Sequence, residues 1–394
     1  MESQVQISFD DTKVAFSYKS DEELRMAHWL FSIINHGWTS TLATGAVKLA
    51  LAARLPVYGL IRNTVFKHFC GGESIGAAES TILHLGNYQV STILDYSVEG
   101  EKTEEGFERT VSEILKIVEK ARGRQQIPFC VFKVTGLADA ALLEKIQSDA
   151  PLTTDEEQAF EKVKARINRI CARAYEYDVP VLVDAEESWI QNTIDMLVIE
   201  MMRTYNKEAP IVFNTFQLYR TDALINLKAS FHDAVMHNYF MGAKLVRGAY
   251  MEKERNRAKA DERISPIHPS KKATDDAFNE ALAFCITNKQ RISLMCGSHN
   301  EYSNHYLTVL MEKHGMDPTD PRIWFAQLYG MSDNISFNLA SQGYNVAKYV
   351  PYGPIRSVMP YLFRRAEENT SVAGQSSREL LLIRKELARR KAEG

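Results

Sequence analysis

Charged and amide side chains recur at the ends of short apolar runs along this chain of 394 residues. Several of them are cations, and lysine and arginine bind carboxylates and phosphates through charge-assisted hydrogen bonds. Cations gathered around one site would predict an anionic ligand, although any one of them alone also fits a buried structural ion pair. The polar residues at these run ends are Asp95, Glu99, Lys133, Asp184, Glu186, Glu187, Gln217, Tyr219, Lys244, Arg247, His299, Asn300, Gln327, Lys348 and Tyr349.

A second candidate lies in the helical segment that follows the last run. Arg364 and Arg365 are adjacent, and Glu368 lies within ion-pairing reach of both on a helix. Two arginines at such a position would form a fork for a planar carboxylate. The alternative is a solvated helix face, on which charge pairs contribute little to stability.

The runs that carry these residues predict eight β-strands. They are rich in β-branched and aromatic residues, and stretches with apolar residues at three- and four-residue spacing separate them. Eight strand–helix alternations over about 280 residues are typical of an α/β fold, the (β/α)8 TIM-type barrel, whose active site lies at the carboxyl ends of the strands. The predicted strands span residues 90–97, 129–136, 179–187, 211–219, 240–250, 291–300, 323–330 and 345–353.

We therefore expect three regions: an N-terminal helical arm over residues 1–88, the barrel over 89–375, and a C-terminal amphipathic helix over 376–394. In the arm, residues 20–38 and 44–69 are predicted helices. The last helix has an apolar side and more basic than acidic residues. That pattern leaves two alternatives open, packing against the barrel or the arm and docking at a membrane interface.

Composition argues against several classes of protein. The formal net charge of −3 argues against a nucleic-acid partner. The five cysteines are odd in number and lack Cys-x-x-Cys spacing, which predicts neither a disulfide framework nor a metal site and fits a reducing compartment. No stretch predicts a transmembrane helix, and the first residues are unlike a signal or transit peptide, so we expect a cytoplasmic protein.

Segments distributed along the chain carry a resemblance to a known family: FKVTGL, VDAEE, FNTFQLYRTDA, KLVRGAYMEKER, MCGSHNEYS, QLYGMSD and KYVPYGPIRSVMPYLFRRAEENTSV. Through them the chain resembles proline dehydrogenase (proline oxidase) over essentially its whole length, and most closely the monofunctional, eukaryotic-type branch. The resemblance implies FAD-dependent oxidation of L-proline to Δ1-pyrroline-5-carboxylate by hydride transfer to flavin N5. It also implies a quinone as electron acceptor and peripheral contact with a membrane, at the inner face for a cytoplasmic protein.

The resemblance further implies which residues face the substrate. One group would hold the carboxylate, a second would surround the pyrrolidine ring, and an aspartate would lie on the substrate side of the flavin. These positions are Lys133, Arg364 and Arg365 for the carboxylate, Tyr349, Tyr361 and Leu328 around the ring, Asp184 beside the flavin, and Glu99 as a partner of Arg364.

Flavin-contacting positions are implied from the end of the fourth strand onward. Lys244 stands where the bifunctional bacterial relatives carry an arginine near N5, and lysine and arginine differ in hydration and fork geometry, so the flavin potential can differ. The full set is Gln217, Lys244, Arg247, Gly248, Ala249, Tyr250, Ser270, Lys271, Ser298, His299, Asn300, Gln327, Glu368 and Ser371.

Other functions remain open at this point. A hydroxyproline dehydrogenase would share the same machinery, but an aromatic side chain at Tyr349 leaves less room for a hydroxyl group and favours proline. A Schiff-base lyase barrel would use Lys133 as its strand-end nucleophile. A non-catalytic barrel that binds an acidic metabolite is the third alternative.

Overall fold

The computed structural model describes residues 7–34, 58–97, 101–371 and 375–393. Within these residues eight parallel strands close into a barrel in the order β1 to β8, which confirms the predicted α/β barrel. The strands are β1 (Val90–Tyr96), β2 (Phe129–Lys133), β3 (Val181–Asp184), β4 (Val212–Gln217), β5 (Met241–Val246), β6 (Ile292–Gly297), β7 (Ile323–Leu328) and β8 (Val346–Tyr352).

Each strand ends at or before the end of the run that predicted it. The run over 129–136 is a strand only to Lys133, after which Val134–Gly136 form a 3-10 turn. The run over 240–250 is a strand only to Val246. The polar residues that close these runs therefore lie at the carboxyl ends of the strands or in the loops that follow, where barrel active sites are built.

The helices alternate with the strands as the apolar spacing predicted, and several begin at a capping side chain. Thr103 and Ser270 accept hydrogen bonds from the first turns of their helices, and Thr153 forms a capping box with Glu156. The helices are α1 (Thr12–Ala15), α2 (Asp21–Ile34), α3 (Tyr58–Ile61), α4 (Lys67–Phe69), α5 (Glu79–Gly86), α6 (Glu104–Ala121), α7 (Ala140–Gln147), α8 (Thr154–Glu176), α9 (Ser188–Tyr205), α10 (Ala223–Met236), α11 (Met251–Ala260), α12 (Lys271–Thr287), α13 (Glu301–Lys313), α14 (Asp333–Ser341), α15 (Ile355–Ser371) and α16 (Gln375–Glu393).

The chain divides into two compact units, one of Ile93–Ala326 and the other of Met1–Thr92 with Gln327–Gly394. The helix predicted over 20–38 is α2. Of the helix predicted over 44–69, the described part begins at residue 58 and comprises α3, a π-helical turn at Arg62–Phe66 and α4; the remainder lies outside the described residues. The predicted region boundaries at residues 88 and 375 stay predictions.

The C-terminal helix α16 packs against α2 of the N-terminal arm. Leu380, Leu382 and Ile383 share one apolar cluster with Leu24 and Phe31. Of the two alternatives for this helix, the described residues show packing on the arm. Its basic residues are also engaged, through the ion pairs Arg378–Asp10 at 2.5 Å, Arg390–Asp21 at 2.7 Å and Arg389–Glu386 at 2.8 Å.

Lys348 of β8 belongs to a buried ion cluster in the same unit. Its Nζ atom lies 2.9 Å from Oδ1 of Asp333, and Nζ of Lys19 lies 2.9 Å from Oδ2 of that carboxylate. The Tyr18 hydroxyl donates a hydrogen bond to the same Oδ2 atom at 2.7 Å. Lys348 therefore belongs to a buried structural ion pair, the alternative that the sequence left open for each polar residue at the end of an apolar run.

Candidate active site

Four charged residues from β1, β2, β3 and β5 form a continuous chain within the Ile93–Ala326 unit. The Nζ atom of Lys133 is 2.9 Å from Oδ2 of Asp184 and 3.8 Å from Oδ2 of Asp95. The Nζ atom of Lys244 is 2.5 Å from the other carboxylate oxygen of Asp184. Asp184 therefore joins the two lysines for which the sequence predicted different roles.

These contacts fix the charge of Asp184. Burial alone would raise its pKa, but the charges of Lys133 and Lys244 and the hydrogen bonds from both outweigh burial and lower the pKa of Asp184 to about 2. Burial lowers the pKa of Lys244, an effect that Asp184 opposes. The side chain of Lys133 is 21% exposed against 7% for Lys244, so Lys133 is the cation better placed to meet an anion from solution.

Glu186 ties the ends of three strands together. Its carboxylate accepts hydrogen bonds from the backbone N–H of Thr135, at 3.0 Å, and from the Thr135 hydroxyl. Its carbonyl oxygen accepts a hydrogen bond from Nε2 of Gln217 at 2.7 Å. Burial raises the pKa of Glu186 to about 7, although the hydrogen bonds from Thr135 oppose the shift. This carboxyl therefore changes its charge near neutral pH while it holds the turn after Lys133.

The guanidinium of Arg247 binds the loop after β5 to neighbouring elements. It donates hydrogen bonds to Asp275 at 2.8 Å, to Oγ of Ser298 at 2.8 Å and to Oγ of Ser303 at 2.9 Å. It also lies 4.4 Å from the centre of the Phe278 ring. The structure thus brings Arg247 and Ser298 together, and Arg247 is held by partners within the protein.

Two further predicted residues lie at the starts of helices next to this network. Ser270 caps α12, and its Oγ accepts a hydrogen bond from the N–H of Ala273 at 3.2 Å. Asn300 caps α13 and donates its backbone N–H to Ser298 at 3.1 Å, with half-buried His299 between them. Lys271 pairs with Asp275 at 2.6 Å, so this carboxylate connects the start of α12 with Arg247.

The turn after β5 requires glycine at position 248. The φ angle of Gly248 is 131°, and a Cβ atom there would lie 2.4 Å from a ring carbon of Tyr219. Ala249 is exposed and Tyr250 is half-buried. Since glycine allows the backbone to approach a ligand closely, this turn suits close contact with a flat or extended ligand.

The remaining predicted residues that the structure describes lie in the unit of residues 1–92 and 327–394. Arg365 is buried, and its guanidinium lies 5.2 Å from the centre of the Tyr361 ring, a cation–π contact. Leu328 packs against the apolar cluster that contains Tyr361, and the Ser336 hydroxyl donates to Oε1 of Gln327 at 2.8 Å. Tyr349 is buried and Arg364 half-buried. Glu99 and the side chains of Glu368 and Ser371 lie outside the described residues.

Sequence reasoning missed two acidic residues beside the site. Asp275 lies four residues after Lys271, a spacing that would have indicated their ion pair on a helix, but no local signal indicates its contact with Arg247. Glu254 lies in α11, whose sequence MEKERNRAKA mixes charges of both signs as an exposed helix does. It is nevertheless completely buried, and no local signal in the sequence marks it.

Comparison with known proteins assigns the family. The family model described as "Proline dehydrogenase" matches residues 78–378. The "Proline dehydrogenase 1, mitochondrial" of Dictyostelium discoideum is 32% identical, in an alignment that covers 96% of this chain and 74% of that protein. The chain belongs to the proline dehydrogenase family. The resemblance carried by the motifs is therefore confirmed, and the protein is an enzyme of this family.

Two further proteins extend the comparison. The "Carbapenem antibiotics biosynthesis protein CarD" of Pectobacterium carotovorum subsp. carotovorum is 32% identical over 94% of this chain and 100% of that protein. Proline utilization A (PutA) from Bdellovibrio bacteriovorus, solved after inactivation by N-propargylglycine, matches 93% of this chain with a TM-score of 0.70 and 19% identity. The likeness to that structure concerns the fold, and this chain spans 36% of its length.

None of the described helices combines the length and the apolar character that crossing a bilayer requires.

Proposed function

We propose that the protein binds FAD, oxidises L-proline to Δ1-pyrroline-5-carboxylate and passes the electrons to a quinone. The observation that carries the proposal is the chain of charges Asp95–Lys133–Asp184–Lys244 at the strand ends of a proline dehydrogenase family barrel. It offers the half-buried Lys133 to a carboxylate. The buried Lys244, which contacts the other oxygen of Asp184, is offered to a cofactor.

The residues at the ends of β4, β5 and β6 fit a flavin nucleotide by their chemistry. Gln217 supplies an amide, Lys244 and Arg247 supply cations, and Ser298 supplies a hydroxyl, all within one unit and on paired strands or directly after them. Amide and ammonium groups suit the polar edge of a flavin ring, and cations with a helix N-terminus at Ser270 suit its phosphates. A bound flavin would supply the redox chemistry by accepting the hydride lost from the ring carbon beside the substrate nitrogen.

Lys133 would anchor the substrate carboxylate together with Arg364 and Arg365. Charge-assisted hydrogen bonds to a carboxylate are about twice as strong as neutral ones, and a planar guanidinium can hold both oxygens. Tyr349 and Tyr361 would pack against the pyrrolidine ring and restrict its orientation. Such positioning of a reacting atom can contribute several kcal/mol toward the activation barrier, on the order of the effective-molarity effect.

Proline must lose its amine proton before a ring carbon can give up a hydride. The cations of the site would favour the neutral amine, because a nearby positive charge lowers the pKa of an ammonium group. Lys244 would stabilise negative charge on the reduced cofactor, and Asp184 would keep Lys244 in place.

The same contacts disfavour the lyase alternative. A Schiff-base lysine must be neutral to attack a carbonyl group. Lys133 instead lies 2.9 Å from the carboxylate of Asp184, whose lowered pKa keeps it ionised, and the pair stabilises the ammonium form of the lysine. Hydroxyproline as substrate stays the alternative within the family.

The proposed acceptor also bears on location. A quinone dissolves in the bilayer, so we propose peripheral contact with the membrane from the cytoplasmic side. The apolar side of α16 is covered by the N-terminal arm, so the proposal assigns this contact to a different surface.

The test begins with the purified protein and its visible spectrum. We expect a flavin spectrum that bleaches when L-proline is added without oxygen and returns when a quinone is added. The product should be trapped by an aromatic aminoaldehyde that condenses with cyclic imines. Turnover with L-proline and 4-hydroxyproline, measured side by side, separates the two substrates, and absence of flavin binding would overturn the proposal. Borohydride trapping of a carbonyl substrate on Lys133 would instead support the lyase.

A further inference from the structure

Glu254 is a buried carboxylate in a helix that is otherwise largely exposed. Only Glu254 and Ala258 of α11 (Met251–Ala260) are buried, and Glu254 is 0% exposed. Burying a carboxylate is unfavourable unless hydrogen bonds and charges compensate for the lost water. The contacts that compensate should therefore indicate what this residue does.

The carboxylate of Glu254 lies at the N-terminus of α9 (Ser188–Tyr205). One oxygen accepts a hydrogen bond from the backbone N–H of Ser188 at 2.6 Å, and the other accepts one from the Ser188 hydroxyl at 2.6 Å. Glu187, the N-cap residue of α9, makes no capping hydrogen bond with its own side chain. Glu254 thus supplies from another helix the negative charge that a helix N-terminus favours.

Two neighbouring contacts join the same pair of helices. Lys253 forms an ion pair with Glu187. Arg257 lies 4.2 Å from the centre of the Trp189 ring. All these contacts connect α11 with the first residues of α9. Because α9 follows β3 and α11 follows β5, they hold the loop after Asp184 against the turn formed by residues 248–250.

The 248–250 turn is also held from its other side. The ring of Tyr219 lies where a Cβ atom on Gly248 would stand, and the N–H of Tyr219 donates to the carbonyl of Arg247 at 2.7 Å. The N–H of Glu254 donates to the carbonyl of Tyr250 at 2.9 Å, which begins α11 directly after the turn. Tyr219 therefore supports the start of the turn, and the backbone of Glu254 is hydrogen-bonded to its end.

We propose that Glu254 is a positioning residue that fixes the 248–250 turn relative to Asp184 and thereby sets the affinity for FAD. The inference rests on the proposed function and on the flavin contacts that the family resemblance implies for residues 248–250. Glu254 itself is fully occupied by Ser188. Its replacement removes the buried one of the contacts that join the two helices and leaves every proposed flavin contact chemically intact.

The experiment titrates flavin-free protein with FAD, follows the quenching of flavin fluorescence, and records thermal unfolding with and without FAD. Glu254→Ala should raise the Kd of FAD by on the order of tenfold, the effect expected for loss of a charge-assisted contact. Ser188→Ala removes only the hydroxyl bond and keeps the backbone N–H bond, so it should raise the Kd by less. The Kd of the double variant should equal that of Glu254→Ala, because the Ser188 hydroxyl has no carboxylate to bind once Glu254 is replaced. Glu254→Gln should raise the Kd by less than Glu254→Ala, since the amide oxygen can still accept a hydrogen bond from the Ser188 N–H. Glu252→Gln, an exposed change in the same helix, should leave the Kd unchanged.

Three results would overturn the inference. One is a Kd within about twofold of wild type for both single variants. Another is additive effects of the two changes. The third is a fall in the unfolding temperature of the flavin-free protein without loss of FAD affinity, which a purely structural role would give. If Glu254→Ala does not fold, the FAD affinities of Ser188→Ala and Glu254→Gln test the inference in its place. If wild-type protein binds no FAD, the proposed function itself has failed and this inference falls with it.

Discussion

Lys244 and Asp184 form a buried ion pair in which Nζ lies 2.5 Å from Oδ1. The second oxygen of the same carboxylate holds Lys133 at 2.9 Å. An anion that binds Lys133 must therefore compete with Asp184 for this lysine. Because Asp184 also contacts Lys244, such an anion affects the ion pair of Lys244 as well. This arrangement links the cation proposed for the substrate with the cation proposed for the cofactor.

Asp184→Asn should lower both the thermal stability and the catalytic efficiency with proline. The change leaves two neighbouring ammonium groups without their shared counter-charge, and removing one partner of a buried ion pair costs roughly 3–5 kcal/mol. Scanning calorimetry and steady-state kinetics measure the two effects. Asp276→Asn is the control, because it breaks only the exposed pair with Lys272. Equal unfolding temperatures for the two variants would contradict the assigned role.

Arg365→Met should raise the Michaelis constant for proline strongly and leave the flavin content unchanged. Loss of a charge-assisted hydrogen bond to the substrate carboxylate should cost roughly 1.5–3 kcal/mol. Arg365→Lys keeps the charge but loses the planar fork, so its Michaelis constant should lie between those of the wild type and the methionine variant. Normal proline binding by the methionine variant would show that Arg365 has a structural role, such as its contact with Tyr361, and does not hold the substrate.

Tyr349→Ser should weaken proline binding and shift the preference toward 4-hydroxyproline. Removing the ring opens space beside the substrate, and the new hydroxyl suits a polar substituent. The measurement is the ratio of kcat/KM for the two amino acids. Tyr349→Phe keeps the ring and should keep the preference, whereas an unchanged ratio in the serine variant would mean that Tyr349 does not face the substrate.

Glu379→Gln should reduce the loss of stability as the pH rises toward neutrality. Burial, with the charge of Asp333, raises the pKa of Glu379 from 4.5 to about 7. Between these values the folded chain binds more protons than the unfolded chain, so this group's stabilising contribution is complete below pH 4.5 and is lost as the pH rises through 7. Unfolding temperatures from pH 5 to pH 8 test this. The exposed change Glu393→Gln should leave the wild-type slope intact, and an identical slope for Glu379→Gln would refute the prediction.

Truncation after Gln375 should destabilise the protein by removing α16. The deletion uncovers Leu24 and Phe31 in the arm, and burial of each large apolar side chain contributes about 1.5–3 kcal/mol. Leu381→Ala is a control, because Leu381 is 57% exposed on the same helix. A truncated protein that keeps its unfolding temperature and flavin but no longer binds liposomes would contradict packing on the arm as the main role of the helix.

The barrel could be predicted because its signal is local. Each strand, such as that ending at Lys133 or Val246, is a short apolar run, and the residues between strands repeat with the period of a helix. The rule that barrel chemistry lies at the carboxyl ends of strands then selected Lys133, Asp184 and Lys244. The contact between Lys133 and Asp184 follows from the pairing of β2 with β3, which the alternation of strands and helices also implies.

What the sequence could not decide is which charged residues face the site. Lys244 in GAKLV and Lys348 in VAKYV have nearly identical surroundings in their strands. Only the tertiary structure pairs the first with Asp184, from a strand end, and the second with Asp333, from a helix. Glu254 likewise lies among exposed charges in the sequence, yet it is buried because it packs against the N-terminus of α9. The apolar pattern that specifies strands and helices is a property of neighbouring residues, whereas the partner of a buried charge comes from a distant segment, and only the packed chain brings the two together.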